Sequence, residues 1–268
     1  MAYRTKPISR MTDAFSVKGM NVIVTGGNRG IGFGISVAYA QSGANVAILC
    51  RNIEKGNTAV EELKQYGTTC ICVACNVGSL ESVKTAMTEV LATFPVIDVL
   101  VNNAGIAAVS EFLNDKDQKG WHEVINTNLN GPAYMIYEVV PHMIKADRGG
   151  SVINISSTGG QALGGARTHP MPGYHASKAA LDMFTRNMAI EFGDYGIRVV
   201  GIAPGPTHSD LDVDLPPDAL EKFANLMPMH RFAEPIEIGA LCVYLSSPAG
   251  NHITGTIVVH DGGLLQIS

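Results

Sequence analysis
Apolar positions along the chain fall in short runs separated by segments of helical length, and this alternation continues to its end. Asn21–Thr25 (NVIVT) is an apolar, β-branched run, and a glycine cluster after it opens a helical pattern over Gly30–Ser42. Asn45–Cys50 (NVAILC) reads as a second buried strand, followed by a polar helical segment over Asn52–Tyr66. Thr69–Val77 and Ile97–Val101 are predicted strands, with a helix between them over Ser79–Phe94. A long helical stretch over Asp117–Ala146 precedes a strand at Ser151–Ser156. The segments Tyr174–Phe192, Ile197–Ala203, Ile236–Leu245 and Thr256–His260 complete the alternation. Strands that are apolar nearly throughout are buried on both faces, so the predicted class is α/β, a doubly wound parallel sheet with helices on both sides. No fixed-period repeat and no Ser/Gly linker divides the chain, which predicts a leader or arm over residues 1–18 and a single domain over 19–268. Gly159–Gly173 and Thr207–Pro228 break the rhythm, and long irregular connections in a compact domain serve as lids or binding loops.

Composition narrows the class. Of 268 residues, 46% are hydrophobic and 16% charged, with mean hydropathy +0.15, as a protein with a large buried core requires. A net charge of −5 and a pI near 5.9 provide no basic field for nucleic acid or anionic lipid, so neither nucleic acid nor membrane is an expected partner. No apolar run reaches the ~18 residues a membrane span needs. The leader Met1–Lys18 carries Arg4, Lys6 and Arg10 but no apolar centre, so it is not a signal peptide, and a cytoplasmic protein is expected. Cys50, Cys70, Cys72, Cys75 and Cys242 are an odd set without a secretion signal, which argues against a disulfide framework. Cys72 and Cys75 have C-x-x-C spacing, but strand alternation puts them on opposite faces, so they read as core residues and no metal is expected.

Two stretches carry chemistry. The first is the turn Thr25-Gly26-Gly27-Asn28-Arg29-Gly30-Ile31-Gly32 between a strand and a helix, where backbone N–H groups can approach a pyrophosphate. It lacks the GK[ST] of an ATP-binding loop and is not G-x-G-x-x-G, yet its setting predicts dinucleotide binding, as in a Rossmann-like sheet. About twenty residues on, where an acid would grip the adenosine ribose, stand Cys50-Arg51-Asn52. Arg51, with Arg29 nearby, can bind a 2′-phosphate, which leans toward NADP(H). A guanidinium also stacks on adenine with no phosphate present, so NAD(H) stays open. The second stretch is Tyr174-His175-Ala176-Ser177-Lys178, where helical spacing brings Tyr174 and Lys178 together. An adjacent cation favours a phenolate. An isolated pair of this kind is more often a solvated surface pair, and the rest of the chain has to decide.

Together these residues resemble the short-chain dehydrogenase/reductase family in its single-domain form. Thr25–Gly32 matches the family's TGxxxGxG and Asn102-Asn103-Ala104-Gly105 its NNAG. Asn128, Ser157 and the pair Tyr174/Lys178 fall on its catalytic asparagine, serine and YxxxK. Pro204-Gly205 and Asp261-Gly262-Gly263 follow in the family's order, so the match runs from residue 25 to 263. The resemblance implies hydride transfer between a nicotinamide dinucleotide, NAD(H) or NADP(H), and a secondary alcohol or ketone. Tyr174 would donate the proton, with its pKa lowered by Lys178, which would also hydrogen-bond the nicotinamide ribose. Ser157 would bind the substrate oxygen, and Asn128 would hold a water that relays protons. The implied cofactor contacts are Gly26, Asn28, Arg29, Gly30, Ile31 and Gly32 at the phosphates, Arg51, Asn76 and Val77 at the adenosine, and Asn103, Ala104 and Gly105 beside them. Tyr174, Lys178, Pro204, Gly205, Thr207 and Ser209 complete the implied set at the nicotinamide. Asn76 replaces the aspartate common in the family, and the Ser157–Tyr174 segment is longer than usual. Ser156 is expected on the face opposite Ser157, and His175 is read as structural. His169, His208 and His230 lie in or near the irregular stretches, within reach of a substrate.

The irregular stretches contribute Ala162, Leu163, Met171 and Pro172, and Leu211, Val213, Leu215, Leu226, Met227 and Met229. Some of these are ordinary core residues, yet the scarcity of Arg and Lys favours a bulky, apolar, uncharged ketone. Within the family, Thr5–Arg10 and Asn21–Gly34 look most like a bacterial 20β-hydroxysteroid dehydrogenase, with a polyol, keto-sugar or general carbonyl reductase as the rival. A non-catalytic dinucleotide-binding redox sensor would need none of the four catalytic residues together, and the turn spacing disfavours a methyltransferase. The family's habit implies a homotetramer, using Ile257–Val259 and the long apolar helices.

Overall fold
The computed structural model describes residues 8, 10–107, 112–162, 171–208, 217–225 and 227–266. Seven parallel strands form one sheet: β1 Asn21–Thr25, β2 Asn45–Cys50, β3 Cys70–Ala74, β4 Val99–Asn102, β5 Gly150–Ile155, β6 Ile197–Pro204 and β7 Ile257–His260. Their spatial order is β3-β2-β1-β4-β5-β6-β7, so the winding direction reverses between β1 and β4. A doubly wound sheet binds ligands at that reversal, beyond the carboxyl ends of its strands.

Strand alternation divides the core into two layers. Val22 and Val24 of β1 face one way with Val46 and Ile48 of β2, and the helices α1 (Gly30–Gln41), α2 (Ile53–Leu63) and α8 (Pro235–Ser246) cover them through Ile35, Tyr39, Val60 and Ile238. Ile23 and Leu49 face the other way, beneath α3 (Leu80–Thr93), α5 (Gly131–Ala146) and α6 (Pro172–Phe192), which contribute Val83, Met87, Met135, Val139 and Ala189. Each such side chain contributes roughly 1.5–3 kcal/mol when fully buried. α1 and α8 touch backbone to backbone because Gly34 and Gly239 have no side chains: a Cβ on Gly34 would lie 2.5 Å from Pro235 Cβ.

The predicted long helix over 117–146 is not continuous. Asp117 and Gln118 are left-handed (φ 62° and 53°), α4 runs over Lys119–Ile125, and a π-helical turn over Asn126–Asn130 leads into α5. Pro132 is the cause at the second break, because it has no N–H to give the Asn128 carbonyl four residues back. A short helix, α7 (Pro217–Ala224), lies in the second irregular stretch. Strand β3 ends at Ala74, three residues earlier than expected. Cys72 packs with the α1–α2 layer and Cys75 with the opposite one, as alternation requires. Pairing across strands is what C-x-x-C spacing missed: Cys72 Sγ lies 3.6 Å from Cys50 Sγ on β2, and all five cysteines are free thiols.

The packed unit begins before residue 19. Ala14 and Val17 are fully buried, the Ala14 carbonyl accepts from Ala249 N at 2.7 Å, and Phe15 lies 6.1 Å from the Tyr244 ring.

Candidate active site
At the carboxyl end of β1 the chain turns through Gly26 (φ +63°) into α1. A Cβ on Gly32 would fall 2.1 Å from Gly26 O and 2.4 Å from Asn103 Nδ2, so the turn folds back on itself as only glycine permits. Helix α1 starts with Arg29 at its N-cap, no side-chain cap bond and no acid in its first turn. The neighbouring α2 and α3 are instead capped by Asn52 and Ser79. Uncapped N–H groups beside a glycine turn fit a pyrophosphate, so the residues suit a dinucleotide.

Asn103 and Ala104, just past β4, are tied to this turn. Thr25 Oγ1 accepts from Asn103 N at 2.9 Å and Ala104 N at 3.0 Å, while Asn103 Nδ2 donates to Thr25 O at 2.9 Å. Gly105 follows, with Asn128 Oδ1 and Lys178 Nζ each about one contact distance from where its Cβ would be, at 3.4 and 3.5 Å. Asn28, Arg29 and Gly30 line a cleft of about 340 Å³ whose far wall is α2, through Lys55, Thr58 and Glu62. Ile31 packs into the core beneath, and Arg51 is exposed past the end of β2. The Asn76 amide is turned into its own loop, accepting from Gly78 N at 3.2 Å, and Val77 is buried against Gly131.

Ser157, Tyr174 and Lys178 meet past the end of β5. The Ser157 side chain acts on the Tyr174 phenol and favours its phenolate, and Ser157 Oγ accepts from Gly159 N at 3.0 Å. Lys178 Nζ lies 5.7 Å from the centre of the Tyr174 ring and donates to Ile155 O at 2.8 Å. Helix α6 begins with Pro172 in its first turn, which places Tyr174 in ordered helix. Burial holds the Lys178 ammonium at about 8, with Asp182 pulling the other way. Burial likewise pushes Tyr174 up, and the Ser157 side chain only partly offsets it. The sequence-based expectation of a phenol lowered by Lys178 is therefore reversed in the protein alone. Desolvation of the phenolate outweighs the Ser157 side chain, which is the group that lowers it.

Asn128 is 1% exposed, and its amide is fully engaged: Oδ1 accepts from Ile106 N at 2.9 Å, and Nδ2 donates to Ile106 O at 2.9 Å and Ser177 Oγ at 3.1 Å. The side chain holds the loop after β4 against α6, so a water carried by this residue would rest on its main-chain carbonyl. The signal for this was Pro132. Ser156 is buried while Ser157 is half-exposed, as alternation predicts. His175 packs over Gly159, where an added Cβ would sit 2.8 Å from the ring.

Pro204 ends β6, Gly205 N donates to His260 O at 2.9 Å, and Thr207 Oγ1 donates to Gly205 O at 3.0 Å. His208 lies 3.9 Å from Glu234, His230 is exposed, and Met227 is buried beside Gly262. Ser209, His169, Leu163, Leu211, Val213, Leu215 and Leu226 lie outside the described residues.

A family model described as enoyl-(acyl carrier protein) reductase matches residues 26–265. The chain is 34% identical over 245 residues to the 3-oxoacyl-(acyl-carrier-protein) reductase FabG of Staphylococcus aureus, covering 91% of this chain and 97% of that protein. A 7α-hydroxysteroid dehydrogenase complexed with NADH and 7-oxo glycochenodeoxycholic acid superposes with a TM-score of 0.88 at 29% identity, covering 95% of this chain and 97% of that one. L-sorbose reductase of Gluconobacter frateurii, complexed with NADPH and L-sorbose, gives 0.86 at 28% identity, covering 94% and 99%. The chain belongs to the short-chain dehydrogenase/reductase family. It is an NAD(P)-dependent oxidoreductase.

Proposed function
We propose that this enzyme is an NADPH-preferring reductase of an apolar, uncharged ketone, with a 20-ketosteroid as the leading substrate. The observation that carries the reaction is the convergence of Ser157, Tyr174 and the Lys178 ammonium, 5.7 Å from the Tyr174 ring, past the end of β5 and at the same end of the parallel sheet as the glycine turn. A bound nicotinamide supplies or accepts the hydride. Ser157 donates to the substrate carbonyl oxygen and stabilises its developing charge. Tyr174 delivers the proton to that oxygen, and Lys178 holds positive charge beside the phenol. The Asn128 main chain leads the proton route away from Lys178.

Charge argues for the substrate class. Residues 207–228 include Asp210, Asp212, Asp214, Asp218 and Glu221 against the single cation Lys222, and residues 159–173 hold only Arg167. Segments of that charge disfavour an anionic substrate over a neutral apolar one. The 7-oxo steroid bound by one structural neighbour supports a steroid body, although that ligand carries a carboxylate on its glycine conjugate. The FabG relatives favour a second one, a 3-oxoacyl thioester, whose carrier or coenzyme is anionic. Ketosteroids, 3-oxoacyl thioesters and ketoses assayed side by side by cofactor absorbance separate them. The expected result is fastest turnover of a 20-ketosteroid. No turnover of any steroid discards that substrate, and turnover of the thioester establishes the other.

Arg29 and Arg51 on the adenosine side support NADPH. Arg51→Ala is expected to lower kcat/KM with NADPH at least about tenfold more than with NADH, the scale of one charge-assisted phosphate contact. Equal or better use of NADH by the parent enzyme overturns the preference. Exposed Tyr137 on α5, Met183 and Ile190 on α6, and Val259 on the edge strand β7 support assembly of four copies. Five free thiols support a reducing, cytoplasmic setting, and no helix among the described residues is long and apolar enough to cross a membrane.

A further inference from the structure
Tyr174, Lys178 and Asp182 recur every fourth residue of α6 and share one face of it. Asp182 is 4% exposed. Its carboxyl accepts from Gln161 Nε2 at 3.4 Å through Oδ2, while Oδ1 is buried with no partner. Ser156 precedes Ser157 in the chain, and Gln161 closes the short turn that follows it. Ser156 Oγ also lies 3.3 Å from the Lys178 carbonyl. The turn rests directly on α6: a Cβ on Gly160 would fall 2.8 Å from the Lys178 carbonyl carbon.

We infer that Asp182 is a positioning residue of the active site, joining the turn after Ser157, through Gln161, to the helix that carries Tyr174 and Lys178, while Ser156 ties the other flank to the Lys178 carbonyl. The inference rests on the roles given to those three residues above. A buried carboxyl with a bare oxygen weakens a fold unless its surroundings hold it, and here those surroundings are the frame of the site. The same carboxyl is the negative charge nearest the Lys178 ammonium. The segments packed on Lys178 (β5 with Ser156–Gln161, Asn103–Ile106 and the π turn Asn126–Asn130) carry no ionisable group. On α6 itself the ionisable groups on that side are Tyr174, Asp182 and Arg186. Burial and Asp182 act oppositely on Lys178, so removing the carboxyl makes the ammonium release its proton at lower pH.

The test compares Asp182→Asn, Gln161→Ala and Tyr174→Phe with the parent enzyme, between about pH 6 and 10, the range over which a buried lysine titrates. Turnover is followed on the best ketone of the substrate panel, NADPH affinity by nicotinamide fluorescence, and folding by thermal melts. Asp182→Asn is expected to lower kcat about tenfold or more, to leave the cofactor KM within about threefold near neutrality, and to move the alkaline limb of kcat down by about half a pH unit. Gln161→Ala, which removes a brace and no charge, is expected to lower kcat without moving that limb. A parental kcat and pH profile in Asp182→Asn overturns the inference, as does a lowered melting temperature with activity per folded molecule unchanged. Retained turnover in Tyr174→Phe instead overturns the site assignment beneath it. If no ketone of the panel is turned over, the NADPH affinity decides: its alkaline loss shifts down in Asp182→Asn, and superimposable curves reject the idea.

Discussion
At the scale of single residues, the site depends on two groups whose burial opposes their charge. Tyr174 is pushed up and Lys178 down by the same desolvation. Tyr174→Phe removes the proposed proton donor and little else, so kcat should fall at least about a hundredfold while the cofactor still binds. Turnover kept by that variant would mean that another group donates. Ser157→Ala should be severe and Ser156→Ala clearly milder, because only Ser157 meets the phenol. The reverse order would show the serine misplaced. Lys178 also gives a stability prediction. Its folded value of about 8 lies below the ordinary lysine value, so between about pH 8 and 10 the unfolded chain binds more protons and stability rises with pH. Below that window the buried ammonium is a constant penalty. Lys178→Met should therefore stabilise the fold at pH 7 by about 1–3 kcal/mol, less what the bared Ile155 carbonyl costs, while destroying activity. The gain should shrink toward pH 10, which melts at the two pH values measure.

At the scale of elements, two local devices shape the site, and both were partly legible. The glycine turn is legible in the sequence as a candidate phosphate cradle because its geometry is local: a strand, a tight turn and a helix N-terminus in succession. Gly32→Ala drives a methyl into Gly26 O and Asn103 Nδ2, and should lower both melting temperature and cofactor affinity, the latter about tenfold or more. Gly193, at the end of α6, has nothing within 4 Å of an added Cβ, so Gly193→Ala should change stability by no more than about 1 kcal/mol. Equal damage from both would dissociate the turn from cofactor binding. The π turn was not anticipated. Helical periodicity over 117–146 hides a break at which apolar spacing is kept, and Pro132 was the only local sign of it. That break sets Asn128 so that its amide binds Ile106 and Ser177.

At the scale of the whole molecule, the boundary of the domain and its copies matter most. Removing Met1–Ser16 takes away buried Ala14 and the Phe15–Tyr244 contact, and should lower stability by about 1–3 kcal/mol. An unchanged melting temperature would make the segment an appendage. The exposed apolar groups of α5 and α6 predict a mass in solution of several chains by light scattering, reduced by Ile190→Glu. A monomer at micromolar concentration counts against assembly.

Hydrophobic period and glycine chemistry, which act over a few residues, determined the order of strands and helices, the parallel class and the glycine turn, while the resemblance to the family singled out Ser157, Tyr174 and Lys178. Tertiary structure alone decided which strands adjoin, that Ser157 and Lys178 both come to the Tyr174 ring, and that Asn128 spends its amide on Ile106. It also decided the direction in which Tyr174 is shifted. Charge–charge attraction between neighbours in sequence can be guessed from spacing. Desolvation is set by everything that packs around the phenol, and for Tyr174 it exceeds the lowering by Ser157.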